Sequence, residues 1–190
     1  IAIAKMLVNN TTLTKLNLQH NDLVEDNSDT IARALEENNT LLELYLNDNQ
    51  LRSRGCNIIA SALSSNNDTL ITLDLSKNNI CSNASSDISL LLERNSTLTN
   101  LNLRDNRLRQ IGCIDIFRSL ENNSTLMTLD LSWNYLGRSG ESGIDAVSNV
   151  LERNTTLSNL NLEGNYIPLF LKFKIAIILS DRPKYSNPIA

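Results

Sequence analysis

Few side chains in this 190-residue sequence have the chemistry of a catalyst or a metal ligand. His20 is the only histidine, so no pair of histidines can bind a metal ion, and its expected neighbours Gln19 and Lys77 offer no nucleophile for a His-centred triad. Cys56 and Cys113 occupy equivalent positions at the start of two predicted helices, where a helix dipole can lower the pKa of a thiol. A cysteine in such a place is more often a small core residue, and we interpret both in that way.

Paired carboxylates are the other candidates for catalysis. Asp74 and Asp130 occupy equivalent positions in two predicted strands that are separated by a third strand, which places them about 10 Å apart. That separation exceeds the carboxylate spacing of inverting glycosidases, and no third catalytic group stands nearby. The sequence also lacks the G-x-x-x-x-G-K-S/T motif of nucleotide-binding loops. We therefore predict a non-enzymatic protein without a metal ion or other cofactor.

Binding residues are better represented than catalytic ones. Trp133, Tyr135 and Tyr166, three of the eight aromatic residues of the chain, are predicted to lie on one rim of the molecule in two neighbouring repeats. Arg104 and Arg107 lie in the same part of the preceding repeat. Tryptophan, tyrosine and arginine dominate the binding energy of protein interfaces, so we predict a partner-binding cluster here. The alternative is that Trp133 covers the glycine-rich loop that follows it.

A repeat that covers nearly the whole chain positions these residues. Six blocks match the pattern L-x-x-L-x-L-x-x-N-x-L/I without exception. The blocks begin at Leu13, Leu41, Leu70, Leu98, Leu126 and Leu157. Successive blocks are 28, 29, 28, 28 and 31 residues apart, and the extra residues fall between the blocks, so insertions occur only in loops.

The pattern predicts a strand and a helix in every repeat. In L-x-L the two leucines point to one side and the middle residue to the other, which is the period of a β-strand. Segments such as 29–35 and 57–63 place apolar residues three and four apart, which is the period of a helix. We expect an α/β fold: a right-handed β/α solenoid, a horseshoe segment with a parallel sheet on its concave face and helices on its convex face. The array is predicted to span residues 1–184, with a helical half-repeat at 1–12 and a tail at 185–190.

Asparagine and threonine fill further positions of every repeat. The Asn inside each block is expected to bond backbone groups of adjacent turns. Another Asn stands three residues before each block and a Thr one residue before it. We expect this Asn to end the helix in the left-handed conformation and the Thr to begin the strand. The chain contains nine N-x-S/T sequons, most of them generated by these two positions, and we interpret them as by-products of the turn and expect no glycosylation.

The leucine block, the asparagine turn and the helical return together resemble the ribonuclease-inhibitor-like class of leucine-rich repeats, from residue 3 to about residue 179. Gly55, Gly112 and Gly143, between strand and helix, add to the resemblance, although other residues replace glycine in the remaining repeats. Members of this class include ribonuclease inhibitor, Ran GTPase-activating protein, the sensor arrays of NOD-like receptors and tropomodulin. Their functions differ, so the fold does not choose among them. The resemblance implies an intracellular, curved, protein-binding scaffold.

The surface of this predicted fold favours an interaction scaffold. The outward residues of the strands form a polar, slightly acidic concave face, on which Tyr45, Asp74, Asn102 and Asp130 are the candidate binding residues. We predict that a protein partner binds this concave face and the rim formed by the ascending loops. Two alternatives remain open: a GTPase-activating protein of the Ran type, and an actin-capping module by analogy of fold.

Charge, hydropathy and the chain ends limit the partner further. The net charge of −4 gives no electrostatic reason to bind nucleic acid. The most apolar stretch, 167–179, is too short to span a bilayer and contains Lys172 and Lys174, so we expect no membrane insertion. No signal peptide is visible, and we expect a cytoplasmic protein. Because residues 3–10 repeat the pattern of 31–38, we expect the chain to be continuous with further repeats of a longer chain or a larger complex.

Overall fold

The computed structural model describes residues 2–137 and 144–182. Gly143, one of the three glycines between strand and helix, lies outside the described residues, as does the predicted tail 185–190. The predicted boundary of the array at residue 184 therefore stays a prediction.

Six short strands form one parallel sheet in the order in which they occur in the chain. They are β1 (Lys15–Asn17), β2 (Glu43–Tyr45), β3 (Thr72–Asp74), β4 (Asn100–Asn102), β5 (Thr128–Asp130) and β6 (Asn159–Asn161). Equivalent residues of neighbouring strands are partners, so that Leu16 pairs with Leu44 and Leu129 with Leu160. The strands thus lie at the predicted L-x-L positions, and the spacing of the leucine blocks is confirmed as the register of the sheet.

Helices carry the chain back between the strands. They are α1 (Ala2–Val8), α2 (Ser28–Glu37), α3 (Arg52–Ser65), α4 (Ser85–Arg94), α5 (Arg109–Ser119), α6 (Ile144–Arg153) and α7 (Leu169–Ser180). Each helix packs against the helix of the next repeat, and α1 precedes β1 as expected for a helical half-repeat. The predicted α/β solenoid is confirmed.

The leucines of the blocks form a continuous core between the sheet and the helices. The central leucines of the four inner strands are buried, and Leu103 in the fourth repeat is fully inaccessible to solvent. Leu16 and Leu160, in the two end strands, are only partly buried because each lacks a neighbouring repeat on one side. Each repeat therefore depends on its neighbours for the burial that stabilises it.

The asparagines inside the blocks form a ladder of hydrogen bonds between repeats. The Oδ1 atom of Asn106 accepts the backbone N–H groups of Asn78 and Ile80 at 3.0 Å each, and its Nδ2 donates to the carbonyl oxygens of Leu75 and Leu103 at 3.0 Å. This asparagine ladder consists of Asn49, Asn78, Asn106, Asn134 and Asn165, all of them buried. The predicted role of these residues in satisfying turn backbone groups is confirmed.

The asparagine that precedes each block does not have the predicted backbone. Asn38 and Asn95 follow α2 and α4 with φ of −88° and −80°, so the prediction of a left-handed helix end is wrong. Asn38 Oδ1 accepts the N–H groups of Thr40 and Leu41 while its Nδ2 donates to the carbonyl oxygen of Leu7. The side chain closes the turn, so the backbone can stay extended. Five sequon asparagines are buried in this position: Asn38, Asn67, Asn95, Asn123 and Asn154.

Candidate functional site

The ascending rim, formed by the loops that lead from each strand to the following helix, has an unusual backbone. The residue before the block asparagine of every repeat adopts the left-handed conformation, with φ between 53° and 69°. These residues are His20, Asp48, Lys77, Asp105, Trp133 and Gly164. The chain turns sharply here because the next residue is directed inward at every position of the asparagine ladder. A left-handed conformation costs roughly 1–2 kcal/mol for a residue other than glycine, and we infer that the ladder bonds offset this cost.

The rim loops of the first four repeats alternate between two shapes, an alternation that we did not predict from the sequence. In the first and third repeats a second left-handed residue, Asp22 or Asn79, is followed by a short 3₁₀ turn before the helix. In the second and fourth repeats the second left-handed residue is Arg52 or Arg109, and the helix begins directly at that residue. Equivalent rim positions therefore do not have equivalent side-chain directions.

Two glycines mark the second loop shape. Gly55 and Gly112 lie in the first turn of α3 and α5. A Cβ atom at Gly55 would lie 2.5 Å from Ser28 Oγ, and one at Gly112 would lie 3.2 Å from Ser82 Cα, so these helix starts press against the preceding repeat. Among the first four repeats only the second and the fourth have glycine at this position, and this was the sequence signal for the two loop shapes.

Trp133, Tyr135 and Tyr166 are exposed on the ascending rim, as predicted, and we call them the rim aromatic cluster. Their exposed fractions are 47%, 38% and 68%, and all three have left-handed backbones. The Trp133 ring lies over Gly164, where an added Cβ would be 2.4 Å from Trp133 Cδ2. The two loops run side by side, since Trp133 N–H donates to the carbonyl oxygen of Glu163 at 2.8 Å. Most of the glycine-rich loop that Trp133 was alternatively expected to cover lies outside the described residues.

The two arginines of the predicted cluster occupy different surroundings. Arg104 is half-buried two residues after β4. Arg107 is exposed, forms a backbone bridge with Cys81, and lines an open cavity together with Arg52 and Arg54. Within residues 2–137 and 144–182, neither Arg104 nor Arg107 makes a cation–π contact with the aromatic cluster. Their participation in one site with these rings stays a prediction.

Three side chains of the first two strands, Lys15, Glu43 and Tyr45, interact with one another on the concave face. The Tyr45 hydroxyl donates to Glu43 Oε2 at 2.7 Å, and Lys15 Nζ lies 3.0 Å from the same oxygen and 4.9 Å from the centroid of the Tyr45 ring. The hydrogen bond from Tyr45, together with that from Lys15, lowers the pKa of Glu43, whereas burial and the bond to Glu43 raise the pKa of Tyr45. Because its hydroxyl is engaged within the molecule, Tyr45 offers a partner mainly its half-buried ring.

Asp74 and Asp130 form two equivalent hydrogen-bonded units further along the concave face. Asp74 Oδ1 accepts the backbone N–H and the hydroxyl of Ser76 at 2.8 and 2.6 Å, and its Oδ2 accepts Asn102 Nδ2 at 2.9 Å. Asp130 accepts the same three kinds of donor in its own and the following repeat. Both carboxylates are therefore held in one orientation, an arrangement that suits recognition of a partner.

The structure shows the surroundings of His20, Cys56 and Cys113, which were considered for catalysis. His20 Nδ1 lies 3.0 Å from Asp48 Oδ2, and Lys77 Nζ lies 4.0 Å from the same oxygen, so Asp48 is a neighbour of His20 that we did not predict. Asp48 has the same position in the second repeat as His20 has in the first, so the sequence already indicated that the two side chains are neighbours. Cys56 and Cys113 are buried, and burial raises their pKa to about 12, which confirms their interpretation as core residues.

Across residues 2–137 and 144–182, no three histidine, cysteine, aspartate or glutamate side chains are grouped so that they could hold a metal ion. Over the same residues, no helix has both the length and the apolar character needed to cross a membrane.

Comparison with known proteins agrees with the repeat. The family described as Leucine Rich repeat matches residues 9–27, 37–57, 94–117 and 122–140. A solved structure of the leiomodin-1 actin-binding site 2 is similar with a TM-score of 0.59 at 20% identity, covering 93% of this chain and 85% of that chain. The tropomodulin C-terminal domain from Caenorhabditis elegans is similar with a TM-score of 0.61 at 11% identity, covering 93% and 91%. No curated protein sequence is significantly similar.

The parallel sheet, the returning helices and the filled leucine pattern define a repeat solenoid, a class of fold that presents an extended surface for interaction with other proteins. The fold is that of an α/β leucine-rich repeat solenoid, and four segments of the chain match the leucine-rich repeat family itself.

Proposed function

We propose that the protein is a non-enzymatic binding module that holds a protein partner against its ascending rim and the adjacent concave face. The observation that carries the proposal is the exposure of Trp133, Tyr135 and Tyr166 on neighbouring loops. Exposed aromatic surface is worth about 25 cal/mol for every Å² that a partner removes from water. Aromatic residues of this kind are the commonest centres of binding energy at protein interfaces.

The support beneath the cluster strengthens the proposal. Asn165 Oδ1 accepts the N–H groups of Asn134 and Leu136 at 2.8 and 3.2 Å, which holds the backbone on both sides of Tyr135 and directly after Trp133. A partner therefore does not have to order this part of the loop when it binds. Such preorganisation leaves more of the contact energy as affinity.

The concave face supplies a second, polar contact surface in this proposal. Tyr45 provides an aromatic ring, and Asp74 and Asp130 provide carboxylates in fixed orientations beside Asn102. Acidic groups arranged at regular spacing along the sheet favour a partner with lysine or arginine side chains on its contact surface. In this proposal the rim provides most of the binding free energy, and the concave face fixes the position of the partner along the sheet.

The test begins with capture of the partner from the native source and its identification by mass spectrometry. Calorimetry of the purified complex should then show that Trp133→Ala weakens binding by at least about 2 kcal/mol, some thirtyfold in Kd. Asp22→Ala is the control, since Asp22 is an exposed, left-handed rim residue in the first repeat. If Trp133→Ala lowers the melting temperature and leaves Kd unchanged, the ring has only a structural role, and the site moves to Tyr45, Asp74, Asn102 and Asp130.

Actin is a second candidate partner, because one of the two similar structures is described as an actin-binding site. At 20% identity the likeness extends to the fold alone, so the partner itself needs a direct assay. Cosedimentation with filamentous actin and the elongation rate of labelled filaments provide it. Saturable binding that Trp133→Ala weakens would identify actin as the partner of the rim, whereas no cosedimentation and unchanged elongation would remove this candidate. The Ran-type GTPase-activating function has no comparable observation in its favour.

A further inference from the structure

A cavity of about 580 Å³ opens on the ascending rim across the first four repeats. Three arginine side chains line it: Arg52 and Arg54 from the start of α3, and Arg107 from the loop two repeats further on. Asn79 and Cys81 lie between them on the loop of the third repeat. We call this cavity the arginine cleft. It is distinct from the rim aromatic cluster, none of whose residues line it.

The arginine cleft has more positive than negative charge. Arg54 pairs with Asp26 at 3.0 Å. Arg52 and Arg107 make no ion pair within 4.0 Å anywhere in the described part of the chain, and Glu25 is the one carboxylate among the residues that line the cavity. The whole chain has a net charge of −4, so this local excess is opposite to the overall balance. Cations gathered without matching anions attract an anionic ligand to that place.

Backbone bonds hold the arginines in their positions. Arg52 N–H donates to the carbonyl oxygen of Asn78 at 3.0 Å, and Arg107 N–H donates to that of Ile80 at 2.7 Å. Cys81 N–H donates to Ser53 Oγ at 2.9 Å, which joins the second and third loops. The loops that carry the arginines are thus hydrogen-bonded to one another across three repeats. Little backbone ordering is needed when a ligand binds, which favours affinity.

We propose that the arginine cleft binds a phosphate group with three free oxygens. A carboxylate presents two oxygens in one plane and is satisfied by a single guanidinium fork, whereas a phosphate dianion presents three oxygens in different directions. Arginines that reach one cavity from two loops on either side of it suit the second geometry. The phosphate group is either that of a phosphorylated side chain or free phosphate. The proposal is independent of the partner surface at the rim aromatic cluster, and either can fail without the other.

Cys81 provides a reporter inside the cleft. The chain contains three cysteines, and Cys81 is exposed while Cys56 and Cys113 are buried, so thiol reagents modify Cys81 in the folded protein. Its modification rate is measured with negatively and positively charged methanethiosulfonates, and the ratio of the two rates is compared with that of a small-molecule thiol. An excess of positive charge should favour the negative reagent several-fold, and this preference should fall as ionic strength rises.

Ligand binding is measured as protection of Cys81 at constant ionic strength. The probes are inorganic phosphate, the peptide acetyl-Gly-phosphoserine-Gly-amide, and the same peptide with serine or glutamate in place of phosphoserine. Saturable protection by the phosphopeptide alone identifies a phosphorylated side chain as the ligand, and protection by inorganic phosphate as well identifies a site for the free anion. Equal protection by the glutamate peptide, or no protection by either phosphate probe, overturns the proposal.

Matched variants test the arginines themselves. Arg52→Gln and Arg107→Gln should each weaken phosphate protection by tenfold or more. Arg109→Gln is the control because Arg109, with φ of 59°, is the equivalent of Arg52, with φ of 52°, in the fourth repeat but does not line the cleft. Circular dichroism confirms that each variant is folded. A loss of protection in Arg109→Gln equal to that in Arg52→Gln would overturn the assignment to this cleft.

Discussion

Replacement of Asn106 by alanine removes the central member of the asparagine ladder. Asn106 is 2% exposed, and its Oδ1 is the acceptor for the backbone N–H groups of Asn78 and Ile80. Its Nδ2 donates at 3.0 Å to the carbonyl oxygens of Leu75 and Leu103 and more weakly, at 3.3 Å, to that of Arg104; the first two also accept from the amides of neighbouring ladder residues. The substitution therefore leaves two buried donors without a partner, while both carbonyl oxygens keep one. At about 1–3 kcal/mol for each orphaned donor, we expect Asn106→Ala to destabilise the protein by about 2–6 kcal/mol.

Urea denaturation followed by circular dichroism measures this loss, with the slope of the transition checked against that of the wild type. Asn21→Ala is the matched control. Asn21 has the same position in the first repeat, but its side chain is exposed and donates only to the carbonyl oxygen of Gln19 among the described residues. We expect that control to change stability by less than about 1 kcal/mol. Similar losses for Asn106→Ala and Asn21→Ala would refute the claim that the ladder stabilises the array by satisfying buried backbone groups.

Three further predictions follow from burial. Leu103→Ala should lower stability by about 2–5 kcal/mol in urea denaturation, and Leu18→Ala, at the same position of the partly buried first repeat, should cost less; equal losses would contradict the core assignment. Burial raises the pKa of Cys56 and Cys113 to about 12 from 9.0, so the unfolded thiols ionise first and stability should fall as pH rises above 9.0. Replacing both cysteines by alanine should reduce this fall, and an unchanged pH dependence would exclude the thiols as its source. Native material treated with an amidase that removes N-linked glycans should keep its mass, since five sequon asparagines are buried in the turn; a loss of mass would show that other sequons are occupied.

Most of the fold could be predicted from the sequence because each column of the repeat has one structural role. A leucine that recurs at equivalent places in six blocks must face the same core, and the parallel pairing of Leu16 with Leu44 follows from that regularity. The exposure of Trp133 followed in the same way, since it stands in a column that is otherwise polar or small. Whether Trp133 binds a partner stays a prediction.

The backbone conformation of the turns could not be derived from residue type alone. Asparagine is common in left-handed conformations, yet Asn38 has an extended backbone because its side chain bonds the turn and the preceding repeat. Conversely Trp133 and Tyr135, which disfavour that conformation, adopt it. Hydrogen bonds to neighbouring repeats decide these conformations, and they form only when the repeats have stacked.

The sequence by itself determined the strands, the register and the leucine core, since these depend on contacts between equivalent residues of adjacent repeats. Only the tertiary structure decided which residues Arg107 joins. It lines a cavity with Arg52, which belongs to a loop two repeats earlier, and the aromatic residues of the rim do not line that cavity. The physical reason is that side-chain direction on the rim depends on which residue of each loop takes the left-handed conformation. Over the first four repeats that choice alternates with the packing of each helix start against the repeat before it.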